Sequence, residues 1–189
     1  MLVAIEGIDG AGKGVQCSFF HSPFKRLSFP SRKYDLIRKY LNKEIEIRPE
    51  AIFLLYASDI IDSILSINLK EKWVLDRYVQ STAAYEVSGV GFKRQKEILK
   101  MLPYPKADIV FLLDIDPEIS VERMSRANKK ADRYERIEYL SKVRANYLEL
   151  AKESFFAKRW VTINAAQSIE KVRDEIRGHM QRLFKDSEG

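Results

Sequence analysis

Short apolar runs alternate with stretches of helical periodicity along this chain. Five runs have the length of strands: Leu2–Ile5, Leu27–Phe29, Trp73–Leu75, Ile109–Leu113 and Val161–Ile163. Helical patterns separate them. Pro49-Glu50 opens a long one, with proline and an acid in its first turn, where a missing N–H and a negative charge are both favourable. Asp116-Pro117-Glu118 opens another. Ser168 is placed to cap the last helix, whose apolar stripe is Ile169, Val172, Ile176, Met180 and Leu183. Strands alternating with helices predict a parallel sheet covered on both faces, a three-layer α/β/α architecture. Ligands of such sheets sit beyond the carboxyl ends of the strands, so chemistry is expected in the residues that follow each run.

The first run leads into Glu6-Gly7-Ile8-Asp9-Gly10-Ala11-Gly12-Lys13. This is G-x-x-x-x-G-K, the core of a phosphate-cradling loop. Glycine tolerates positive φ and lets successive N–H groups converge on one anion. A helix beginning at Gly12 or Lys13 adds its positive end, and Lys13 can reach terminal phosphates as a mobile point charge. The expected class is therefore an α/β P-loop NTPase fold on a five-stranded parallel sheet. One position departs from the full motif. Gly14, followed by Val15, stands where Ser or Thr commonly ligates Mg²⁺. That weakens a GTPase-switch reading and leaves phosphotransfer open, with the metal leaning on water, nucleotide oxygens and a carboxylate elsewhere. Asp9, inside the loop, suits a sugar hydroxyl, a metal or an arginine, or else is a turn residue.

Composition narrows the class. At 189 residues, 46% of them apolar, the chain can build one domain, spanning 1–189, with a real core. Cys17 is the only cysteine, which excludes an internal disulfide and a cysteine-built metal site. The most apolar region, Ile52–Leu69, is interrupted by Asp59 and Asp62 and predicts a buried helix, not a membrane span. No charged leader or cleavage site precedes the first strand. A soluble cytoplasmic protein is expected. The net charge of +6 is dispersed, with no long run of like charges, so a phosphate-rich small ligand explains it as well as nucleic acid does, and nucleic acid is not the expected partner.

Two more strand ends and one connection carry candidate chemistry. After the second run comes Phe29-Pro30-Ser31-Arg32, with Arg32 expected to project over the sheet edge. After the third comes Asp76-Arg77-Tyr78. Trp73-Val74-Leu75-Asp76 has the form of a Walker B element, an apolar strand and then a carboxylate for Mg²⁺, directly or through water. Arg77 can hold a phosphate by a two-pronged contact. The charged stretch Glu122–Glu135 holds Arg126 and Arg133 and suits a lid, over about 126–136, that closes arginines on a transferring phosphoryl group.

Taken in order, these pieces resemble the thymidylate kinase family of P-loop nucleoside monophosphate kinases. The resemblance runs over nearly the whole chain. It includes Leu54-Leu55-Tyr56-Ala57-Ser58-Asp59, the lid end Asp132-Arg133-Tyr134-Glu135 and Ile163-Asn164-Ala165-Ala166-Gln167-Ser168. Its most specific piece is Asp76-Arg77-Tyr78-Val79-Gln80-Ser81-Thr82-Ala83-Ala84-Tyr85. It implies transfer of the ATP γ-phosphate to dTMP, with Mg²⁺, in a homodimer. By that pattern Gly7, Gly10, Ala11, Gly12, Lys13, Gly14 and Val15 hold the ATP phosphates, and Ala165 and Gln167 flank adenine. Asp9, Arg32 and Arg77 position the acceptor phosphate and sugar. Tyr56 stacks on the base, Ser81 and Thr82 contact base and ribose, and Tyr85 crowds a 2′-hydroxyl. Lys13, Arg77, Asp9, Arg126 and Arg133 form the implied catalytic set, of the type with lid arginines. Against the family pattern, Ile60 replaces an arginine that reaches the base, and the segment from Lys13 to Phe29 is short, which predicts a truncated first helix. Two alternatives stay open at this point: a kinase for dUMP, UMP or CMP, and a weakly active P-loop nucleotide-binding protein.

Overall fold

A computed structural model describes residues 1–86, 90–126 and 137–186, leaving aside the side chains of residues 126 and 186. Its centre is a five-stranded sheet, all parallel, in the order β2-β3-β1-β4-β5. The strands are β1 (Leu2–Glu6), β2 (Phe24–Ser28), β3 (Lys72–Asp76), β4 (Ile109–Asp114) and β5 (Trp160–Asn164). The interior strands carry the apolar load. Val3, Ala4, Ile5, Val74, Leu75 and Ile109 through Phe111 are fully buried, as a sheet covered on both faces requires.

The second strand departs from expectation. It lies at Phe24–Ser28, earlier than the run Leu27–Phe29, because it is the edge strand of the sheet, paired with β3. Lys25 and Arg26 are exposed there, so apolarity does not mark it.

Helices fill the connections: α1 (Lys13–Ser18), α2 (Asp35–Leu41), α3 (Pro49–Leu65), α4 (Val79–Ala84), α5 (Phe92–Lys100), α6 (Pro117–Arg126), α7 (Ile137–Lys152) and α8 (Ile169–Asp186). The short α1 matches the predicted truncation. It packs on β1, β3 and α8, and Gln16 Nε2 donates to the Ile169 carbonyl at 3.1 Å. α7 lies against β4, β5, α4 and α6. Ser168 begins α8 as predicted, its Oγ accepting from the Lys171 N–H at 3.3 Å.

Register decides where the site forms. Asp76 sits opposite Ile5 on one side and Ser28 on the other, Glu6 opposite Leu112, and Asp114 opposite Asn164. The carboxyl ends therefore finish together along one rim of the sheet.

Candidate active site

The loop between β1 and α1 is shaped by close approach. At Gly7 a Cβ would stand 2.5 Å from the Leu113 carbonyl oxygen. At Gly10, with φ 77°, it would stand 2.7 Å from the Ser120 carbonyl oxygen. Ser120 Oγ also donates to the Asp9 carbonyl, which fixes the loop against α6. Lys13 is buried at the foot of the loop, its Nζ donating to the carbonyls of Gly7 at 2.9 Å and Ile8 at 2.8 Å. Burial, with Arg77 adding its charge nearby, lowers the Lys13 ammonium to about 8, against the pull of Asp9, Asp76 and Glu6.

Arg77 is the hub. Its backbone is left-handed, φ 72°, and its N–H donates to the Ile5 carbonyl at 3.1 Å. A non-glycine residue held there costs about 1–3 kcal/mol and persists where the surroundings over-determine it. The turn sends the side chain back across β1 to an ion pair with Asp9. Nη1 donates to Ser81 Oγ at 3.2 Å, Nη2 to Tyr85 Oη at 3.4 Å, and the guanidinium lies 4.8 Å from the Tyr85 ring centre.

Beneath this hub lies a buried carboxylate. Glu6, fully buried, accepts from the Tyr78 N–H at 2.7 Å, from Ser81 Oγ at 2.7 Å and from Tyr147 Oη at 2.9 Å. Burial pushes its pKa up, and those three donors pull against the rise together with the Arg77 charge. The network ties β1, the Asp76–Tyr78 turn, α4 and α7 into one block.

Two cavities meet at Arg77 and Asp9, which line both. One is a cleft of about 1010 Å³ over the phosphate loop. It is walled by Gly10 through Gln16 on one side and by Arg123, Ala165 and Gln167 on the other. The second is a smaller, mostly apolar pocket of about 100 Å³ between α3 and α4. Phe29, Tyr56, Ile60, Thr82 and Tyr85 are among its walls.

The thymidylate kinase family model matches residues 5–176 of the chain. A probable thymidylate kinase of Methanocaldococcus jannaschii is 34% identical over 191 residues, covering 97% of this chain and 97% of that protein. The chain belongs to the thymidylate kinase family. The thymidylate kinase of Schizosaccharomyces pombe is 30% identical, covering 93% of this chain and 89% of that one. Among solved structures, thymidylate kinase from Candida albicans superposes with a TM-score of 0.76 at 26% identity, covering 96% of this chain and 91% of that chain. A deoxyadenosine kinase from M. mycoides shares the fold, with a TM-score of 0.78 at 14% identity over 96% of this chain and 100% of that one.

Within this thymidylate kinase fold, most of the predicted residues converge. Gly10, Ala11, Gly12, Lys13, Gly14, Val15, Ala165 and Gln167 line the phosphate cleft together with Asp76. Tyr56, Ser81, Thr82 and Tyr85 line the aromatic pocket. Gly7 sits behind the loop, serving its packing on β4. Ser81 turns its hydroxyl toward Glu6 and Tyr147 as well as toward Arg77. Arg32 stands apart from these. Its side chain is exposed and is not among the pocket walls, and the preceding Ser31 is tied by its N–H and Oγ to Asp59. Arg133 and the rest of the 127–136 stretch lie outside the described residues, as does the Arg126 side chain at the end of α6.

Four participants escaped sequence reading: Glu6, Ser120, Tyr147 and Arg123. Arg123 donates to the carbonyls of Ala165 at 2.9 Å and Ala166 at 3.3 Å, joining α6 to the far wall of the cleft. Glu6 had a signal, a charged residue ending an otherwise apolar strand. The others acquire meaning only through contacts distant in sequence.

Proposed function

We propose that this chain transfers the γ-phosphate of ATP to dTMP, giving dTDP and ADP. One observation carries the reading: a phosphate cleft and an aromatic pocket share Asp9 and Arg77 as a common wall. Two anionic substrates placed on either side of that wall meet at the arginine. ATP lies in the cleft, its phosphates on the loop amides and Lys13, its adenine beside Ala165 and Gln167. dTMP lies in the pocket, with Tyr56 stacked on the base, Thr82 within reach of a polar edge and Tyr85 beside the sugar. An acceptor phosphate oxygen attacks the γ-phosphorus, the bond from that phosphorus to the β-bridging oxygen breaks, and ADP leaves with the electron pair. The acceptor is already anionic, so no general base is needed. The protein's task is alignment and charge neutralisation. Arg77, held by Asp9, bridges the two phosphates. Lys13 leaves the loop carbonyls for the donor phosphates. Arg126 and Arg133 are proposed to complete the charge balance.

Mg²⁺ belongs to the proposal as the companion of ATP, offsetting phosphate charge. The residues present fit an ion carried on the nucleotide and contacted by Asp76. Position 14 offers no hydroxyl, and among the described residues no cluster of three His, Cys, Asp or Glu side chains could hold a metal. A homodimer and a cytoplasmic location are part of the same reading. Leu54 and Leu65, 53% and 54% exposed on α3, supply an apolar face for a second copy. No helix among the described residues is long and apolar enough to cross a membrane. The two alternatives, another monophosphate or mere binding, are not favoured by relatives that bear the thymidylate kinase name.

The test is ADP release, coupled to an optical readout, with ATP and each of dTMP, dUMP, UMP and CMP. Release that depends on dTMP and is weak with the ribonucleotides is expected. Release indifferent to any acceptor, or greatest with UMP or CMP, overturns the assignment.

A further inference from the structure

Position 14 is where the phosphate cleft of this chain differs most in chemistry from the full loop motif, and the structure shows what stands beside it. Gly14 lies in the first turn of α1 with a backbone that any residue can adopt. Glycine is not needed there for its φ. A Cβ at this position would stand 3.3 Å from Asp76 Oδ2 and 3.6 Å from Arg26 Nη2. Those two atoms are themselves joined, Nη2 to Oδ2, at 2.8 Å. The sheet register explains why. Arg26 sits opposite Val74 and Ser28 opposite Asp76, so Arg26 and Asp76 project to the same face, the one that α1 covers. The carboxylate expected to serve the metal is therefore already paired with a cation from the edge strand, above a glycine that leaves room for the pair.

We propose, on the reading of this cleft as the ATP site, that Arg26 is a positioning residue of the donor site. Its guanidinium and Mg²⁺ are alternative partners for Asp76. With metal present, Asp76 turns to the hydrated ion on the nucleotide and Arg26 is released to solvent, where 40% of its side chain already lies. Without metal, Arg26 screens the Asp76 carboxylate from the triphosphate, which would otherwise face a bare negative charge beside Gly14. ATP binding in this chain thus depends less on the divalent cation than it would without Arg26. Two ligands competing for one group are coupled with negative sign, and the coupling is reciprocal.

Calorimetric titration with ATP, in EDTA and in excess Mg²⁺, tests this without turnover. Arg26→Gln is expected to weaken metal-free ATP binding about fivefold and to leave binding with Mg²⁺ within about twofold, so the ratio of the two affinities rises about fivefold. Adding Asp76→Asn to Arg26→Gln removes the charge that Arg26 screens and should restore metal-free affinity. Arg26→Lys, which keeps the charge, should stay near the parent in EDTA. Equal loss in both conditions, or no change in either, overturns the role of Arg26. Thermal melting guards against a merely unfolded variant. If Arg26→Gln does not fold, Arg26→Lys carries the test, and a metal-free affinity for it about fivefold weaker than the parent's overturns the role equally. A parent that binds no ATP in either condition overturns the assignment of the cleft itself.

Discussion

Replacing Arg77 by lysine isolates what the guanidinium does. Both residues are unbranched at Cβ, so the left-handed backbone at φ 72° is equally strained in either, and the fold comparison is fair. Arginine offers five N–H donors in a plane. Among the described residues, three of its contacts are to the protein: Asp9, Ser81 Oγ at 3.2 Å and Tyr85 Oη at 3.4 Å. Two N–H groups are then left for phosphate oxygens. Lysine has three donors on a compact head and cannot hold Asp9 and both phosphates at once. Losing one charge-assisted hydrogen bond costs about 1.5–3 kcal/mol, or about 10–150-fold in rate. The expected result for Arg77→Lys is a fall of that size in kcat/KM for dTMP. ATP affinity measured alone should change less than about threefold, because the loop amides and Lys13 are untouched. Coupled ADP release at varied dTMP, calorimetry with ATP and a thermal melt separate these terms. A variant with kcat/KM within about twofold of the parent would refute the two-pronged role.

Three further outcomes follow from the same geometry. Burial lowers the Lys13 ammonium to about 8, and a bound polyanion favours its charged form. ATP affinity should therefore be level below that pH and fall as pH rises through it, by up to about tenfold per pH unit; affinity that stays constant from neutral to alkaline pH counts against Lys13 as a phosphate ligand. Gly10→Ala must hold φ 77° and press a methyl toward the Ser120 carbonyl oxygen, which would stand 2.7 Å from it; the expected loss is about 3 kcal/mol, seen as a fall of about 6–12 °C in Tm, and an unchanged Tm contradicts the close packing of loop on α6. Ile60 is buried in the wall of the aromatic pocket, and dTMP and dUMP share one hydrogen-bonding edge and differ only by the 5-methyl, so dTMP should be preferred by no more than the roughly 10–200-fold that a methyl contact supplies; a much larger ratio contradicts an apolar contact as the source of the discrimination.

How much of this was legible in the sequence differs by element for physical reasons. β1, β3 and β4 lie inside a covered parallel sheet, and such strands are written as apolar runs. β2 begins three residues before the expected run and ends one before it, because an edge strand tolerates Lys25 and Arg26. The phosphate loop was legible because its function constrains neighbouring backbone atoms, and neighbouring backbone atoms are neighbouring letters. Asp76-Arg77 was legible as chemistry, though not as the hub that joins two cavities. The exposed place of Arg32, outside the pocket walls, was not legible, because the Ser31–Asp59 contacts beside it join positions 28 apart.

Glu6 carries the physical point furthest. Local pattern records it as a charged residue ending a strand, and exposure would be the ordinary inference for a glutamate. Instead it is fully buried, because Tyr78, Ser81 and Tyr147 deliver donors to it from positions 72, 75 and 141 residues away. A buried carboxylate with that many donors is stable only if all of them arrive together. The same contacts pin the residue after Arg77 and the hydroxyl that Arg77 touches. Strain at Arg77 is thus held in place by a polar network one layer below it, and the arginine that joins the two cavities is aimed by a glutamate that reaches neither.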